Sequence, residues 1–186
     1  MSTHDEPVVG RRRLTGWRPA LALIAGMLAV PLFPAFLQLG SDDDSPQSAG
    51  APVELATESG VILTAVPPDG WDVDSVAGGV VWRSGDAFVR IEAHDLGGRD
   101  MDTVGQRLMR MDRVRGFSPA FDGGRAASGD GRLTGATCVV TSTGHSGTCA
   151  VIGDDDVVVL AQTLGAPESP ALPLQDVLDA IGRNDR

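Results

Sequence analysis

Few side chains in this sequence are of the types that do chemistry. The histidines are His4, His94 and His145, and the cysteines are Cys138 and Cys149. A zinc site draws three or four Cys, His or carboxylate ligands at close spacing. These residues supply no such set, so neither a metal nor a cofactor is expected. Gly144-His145-Ser146-Gly147 carries part of a Gly-x-Ser-x-Gly nucleophile turn. Its second Gly comes one residue early, and the stretch reads as a hairpin rather than a strand-to-helix turn. Asp154-Asp155-Asp156 lacks the alternate spacing, the Gly and the closing Glu of a calcium loop, and reads as a polar turn. Gly123-Gly124-Arg125 has no strand and helix around it to make a phosphate loop, and reads as a flexible connection. No catalytic residue is therefore assigned. An enzyme, such as an envelope hydrolase, would need one pocket joining His94, Asp95 and His145.

Arg107, Arg110 and Arg113 recur at three-residue spacing on an otherwise acidic stretch of chain. Guanidinium groups on one rigid helix face suit an acidic partner or lipid phosphates. The plainer alternative is a solvated helix face paired with local carboxylates. These three arginines are the candidate partner-binding residues.

The elements that must position these groups are legible in turns and periodicity. Val61-Ile62-Leu63-Thr64-Ala65-Val66 is dense in strand formers and is stopped by Pro67-Pro68-Asp69-Gly70. Trp71 follows directly and is expected to pack in the core. Residues 80–83 and 87–94 flank Ser84-Gly85-Asp86 and read as a β-hairpin. In the second strand Ala87, Val89, Ile91 and Ala93 share one face, and Phe88, Arg90, Glu92 and His94 share the other, expected to be the solvent face. A helix over 102–115 has Asp102 as its cap, Gly116 as its stop, and an apolar stripe of Val104, Leu108, Met111 and Val114 or Arg115.

Three further strands are expected over 133–141, 148–152 and 157–164, with Gly144 and residues 153–156 in the turns. If the first two pair so that residue numbers sum to 287, Cys138 faces Cys149, and directly opposed Cα atoms lie within disulfide range. Val157-Val158-Val159-Leu160 is apolar on both faces and is expected to be an interior strand. Pro173 opens a closing helix with a stripe of Leu174, Val177, Leu178 and Ile181. Hairpins with segregated helices make an α+β fold: an antiparallel sheet of about six strands with two packed helices.

That domain, residues 55–186, is preceded by three segments. Residues 1–18 form a short basic tail, 19–40 an apolar stretch, and 41–54 an acidic linker rich in Ser, Pro, Gly and Ala. The run 19–39 holds no charge and as a helix would span roughly 31 Å, enough for a hydrocarbon core of about 30 Å. Arg11, Arg12, Arg13 and Arg18 precede it and Asp42, Asp43 and Asp44 follow it. Basic flanks stay cytoplasmic, so a single-pass signal-anchor is expected, N-terminus inside and domain outside. A cleaved leader would have a shorter apolar run and a nearer small-x-small site than Ala49-Gly50-Ala51. Two cysteines in an extracytoplasmic domain favour a disulfide. From Ser41 onward the chain carries 23 acidic residues against 11 arginines, which argues against nucleic acid as a partner.

Pro68-Asp69-Gly70-Trp71 after a strand, with the order of elements behind it, resembles PsbP-like extracytoplasmic domains. It is also similar to the C-terminal domain of the actinobacterial type VII secretion-associated protein family, in which a membrane helix precedes a domain opening on such a turn. The resemblance covers about 55–183 and implies a non-catalytic accessory or binding module. The function expected is a membrane-anchored binding or assembly module of the bacterial cell envelope, with association with secretion as its finer reading and another membrane or envelope protein as partner. A carrier of a lipid or small apolar molecule, with a cavity lined from Phe117 to Phe121, is the alternative.

Overall fold

A computed structural model of the protein describes residues 50–184. The basic tail, the apolar stretch 19–40 and the linker up to residue 49 lie outside the described residues. Among the described residues no helix is long and apolar enough to cross a membrane.

The chain runs through β1 (Val53–Ala56), β2 (Ile62–Ala65), β3 (Asp72–Val76), β4 (Gly79–Ser84) and β5 (Ala87–Asp95) before helix α1 (Met101–Val114). It continues through β6 (Ser118–Ala127), β7 (Thr134–Ser142), β8 (His145–Gly153) and β9 (Val157–Gly165), then helix α2 (Leu174–Asp179) and β10 (Ile181–Asn184). A seven-stranded sheet has the order β3-β4-β5-β9-β8-β7-β6, and a small one the order β1-β2-β10. Every pairing is antiparallel. The α+β class and the two helices are as expected.

The large sheet is buried on both faces. Val80 and Trp82 of β4, Val89 and Ile91 of β5, and Val159 and Ala161 of β9 meet the small sheet and α2, where Leu63, Val177, Leu178 and Ile181 are buried. Leu160 and Leu164 of β9, Val151 of β8 and Val140 of β7 meet α1. Strand β9 lies between β5 and β8 with all nine residues buried. The apolar start of the strand, Val157 to Leu160, can be covered on both sides without stranding polar groups, which suits this segment to the middle. Gly105 of α1 lets the helix sit close: a Cβ there would lie 2.9 Å from Val151 Cγ1.

Strands β7 and β8 pair with Cys138 opposite Cys149, and the two form the disulfide at a Cα separation of 4.8 Å. Gly144 in the connecting turn takes φ +75°, a conformation that a residue with a Cβ adopts only at a cost. The β4–β5 and β8–β9 hairpins also fall where the turn residues place them. Trp71 is partly buried against the first core.

Several expectations are corrected. The sheets hold ten strands rather than about six among the described residues, because four strands carry little apolar signal. The first strand among the described residues, β1, pairs with β2 and buries Val53 and Leu55. Edge strand β3 is mostly exposed and polar. Residues 123–125 belong to edge strand β6, which bulges between Phe121 and Arg125. There the Asp122 carboxylate accepts from the Gly124 amide at 2.9 Å and the Thr137 hydroxyl at 2.5 Å. Helix α2 does not end the fold: β10 follows it and pairs with β2. Asp100 rather than Asp102 caps α1, accepting from the Thr103 amide at 2.7 Å.

The disulfide closes a short loop within one hairpin, worth about 2 to 3 kcal/mol on a chain-entropy estimate. Replacing Cys138 and Cys149 together by Ala is expected to lower the free energy of unfolding by about that amount, read as a drop in urea midpoint.

Candidate functional site

The face of β5 carrying Arg90, Glu92 and His94 is not a solvent face. Helix α1 covers it, and charges from both elements interlock beneath the helix. Arg90 donates to Asp112 Oδ1 at 3.0 Å and also pairs with Glu92. Arg115, at the end of α1, donates to both Glu92 oxygens, at 3.0 and 3.2 Å. Gln162 of β9 donates to Asp112 Oδ2 at 2.6 Å. Arg90 and Gln162 are cross-strand partners, so the β5–β9 register itself brings both donors to one carboxylate. The Arg90 guanidinium also lies over the Phe117 ring, 5.6 Å from its centroid, a favourable cation–π placement.

This cluster explains how α1 is turned. Its buried residues are Val104, Gly105, Leu108, Met109 and Asp112. The apolar stripe expected to run through Met111 and Val114 is rotated, leaving Met111 38% and Val114 90% exposed. Burial by itself would raise the Glu92 carboxyl. Hydrogen bonds with His94 and Arg90, and the charges of Arg90 and Arg115, outweigh that and hold it at about 2, below the ordinary 4.5. The cluster is closed and charge-matched, so it orients the helix rather than presenting a reactive group.

The outer surface of α1 carries Arg107, Arg110 and Arg113, all exposed. None of the three makes a side-chain ion pair or hydrogen bond with another described residue. The fold divides them between two flanks. Arg110 and Arg113 border a groove of about 220 Å³ against β6, with Met109, Pro119 and Phe121. Phe121 is 46% exposed. Arg107 faces a different cleft, beside the end of β5.

His94, Asp95 and His145 do not converge. His94 and Asp95 line the cleft beside Arg107, whereas His145 lines one at the β7–β8 turn. His145 packs edge-on against Phe88 at 5.7 Å. His94 is six residues further along the same strand, about 20 Å away at strand rise. Asp95 accepts from the Ser59 amide at 2.8 Å and from the Ser59 hydroxyl, and these bonds lower its carboxyl pKa. Asp154 accepts from the Asp156 and Val157 amides, and Arg183 of β10 pairs with both Asp154 and Asp156. That set fastens a turn.

No family model matches the chain, and no curated protein matches it. Among solved structures it is similar to the solution structure of cyanobacterial PsbP (CyanoP) from Synechocystis sp. PCC 6803. The identity is 16%, the match covers 79% of this chain and 99% of that chain, and the TM-score is 0.44. The likeness is one of chain path alone.

Removing one member of the buried cluster strands the others. Arg90→Met is expected to cost about 3 to 5 kcal/mol, and adding Asp112→Leu to recover part of that loss, measured as a double-mutant cycle in urea. Because the Glu92 carboxyl is depressed on folding, its contribution is complete above about pH 4.5 and is lost as pH falls toward 2. Unfolding free energy is therefore expected to fall across that window, and Glu92→Gln to flatten the slope there.

Proposed function

We propose that the domain is a non-catalytic binding or assembly module of the bacterial cell envelope, docking an acidic segment of another membrane or envelope protein along α1. The observation that carries this reading is the arginine face of α1, without a side-chain partner among the described residues, beside exposed Phe121. Arginines flanking a partly exposed aromatic are the residue types that dominate protein interfaces. On a domain that is acidic overall, one basic face also steers an acidic partner into a single orientation.

The apolar run 19–39, with arginines before it and aspartates after it, supports a single-pass anchor that leaves the domain outside the cytoplasm. The disulfide favours the same compartment. The resemblance of the turn at residues 68–71 to that of the secretion-associated family makes the membrane components of a secretion machine the first partners to test.

The experiment is crosslinking in intact cells, gentle detergent extraction and mass spectrometry of what the full chain holds. Changing Arg107, Arg110 and Arg113 together to Glu is expected to abolish recovery of the partner. These side chains are exposed, so stability should stay within about 0.5 kcal/mol. Undiminished recovery with the triple variant would overturn the docking face.

A further inference from the structure

The cleft on the other flank of α1, between the helix, the β1–β2 turn and the end of β5, has a volume of about 400 Å³. That is the size of a small-molecule site. Its apolar side is built from Val104, Leu108 and Met111 of α1 with Ala93 of β5. Arg99 and Arg107 bring two guanidinium groups to it. Arg99 donates its Nε–H to the Leu96 carbonyl at 3.1 Å. This bond holds the side chain and leaves both terminal nitrogens without a partner among the described residues. Arg107 has no side-chain partner there either.

The opposing charges are Asp95 and Glu58. Asp95 has both carboxylate oxygens engaged by Ser59, the amide on one and the hydroxyl on the other, so it serves as a wall of the cleft. Glu58 is exposed at the rim. His94 also lines the cleft, with its buried Nε2 turned inward to Glu92 Oε2 at 3.5 Å. Two cations beside a hydrocarbon surface, one of them held by a backbone carbonyl, suit a ligand with the same two parts. Guanidinium groups pair with carboxylate or phosphate oxygens through charge-assisted hydrogen bonds, and the α1 side chains accept a short apolar stem.

We propose that this cleft binds a small amphiphilic organic anion, its carboxylate or phosphate held by Arg99 and Arg107 and its apolar part lying on Val104, Leu108 and Met111. The site rests on Arg99, which the docking face does not use, so either reading can fail without the other.

The test is an NMR titration of the full chain in nanodiscs, following the Arg99 and Arg107 side-chain Nε–H signals, with butyrate and butyl phosphate as water-soluble probes. At least one probe is expected to give saturable shifts below about 20 mM, and the tighter of the two assigns the headgroup. Arg99→Gln should weaken that binding about tenfold, the scale of one charged hydrogen bond. Glu58→Gln should strengthen it, and Arg110→Gln should leave it unchanged. Three results would each overturn the proposal: no saturable shift with either probe, equal weakening by Arg110→Gln, which would mean diffuse attraction, or inorganic phosphate or butanol binding as tightly as the probes.

Discussion

The pairing of Arg90 with Asp112 is the contact on which the placement of α1 depends. An apolar helix face can slide or rotate on a sheet at modest cost, because hydrophobic contact has no direction. A buried carboxylate cannot, since leaving it unpaired costs several kcal/mol. Asp112 finds its hydrogen-bond donors where the β5–β9 register sets Arg90 and Gln162 side by side. Helix rotation, strand register and the outward aim of every other α1 side chain are thus coupled through one carboxylate.

That coupling has a consequence for the surface. Residues three apart on a helix are offset by about 60° around its axis, so a stripe of three arginines spans a wide arc. With Asp112 fixed inward, the arc straddles the crest of the helix. Arg107 falls toward β5 while Arg110 and Arg113 fall toward β6. A row that looks continuous in sequence is therefore two chemically different edges, one with apolar helix side chains and Arg99 beside it, the other with an exposed phenyl ring. Docking a protein segment and holding a small anion need not compete for the same side chains, apart from Arg107.

Much of the fold was legible where local chemistry and tertiary context agree. Gly85 and Gly144 mark their hairpins because those turns demand positive φ. The 138–149 pairing was one register that a turn at Gly144 permits, and the two-residue turn between Ser142 and His145 fixes it. Strand β9 declared itself by being apolar on both faces. The missing strands are edges or late additions: β3 is largely polar, β6 is Gly-rich and bulged, and β10 comes straight after a helix with Gly182 in its middle. Backbone pairing holds such segments, and it leaves little mark on side-chain type. The interior charges were misread for a related reason. Alternation on β5 shows that Arg90 and Glu92 share a face, but a helix distant in sequence decides whether that face meets water. A Gln in the middle of the all-buried run of β9 was the signal available: a polar side chain there requires a polar partner across the layer.

The small sheet has a consequence in time. Its middle strand, β2, is made early, yet one of its two neighbours, β10, comes from the far end of the described chain. The seven-stranded sheet draws all its strands from residues up to 165, so none of its own pairings needs β10. Leu63 must wait for Ile181 and the rest of β10 before its surroundings close. The last residues described therefore act as a latch: a chain cut before Ile181 would keep every strand of the large sheet while one side of its core stayed open.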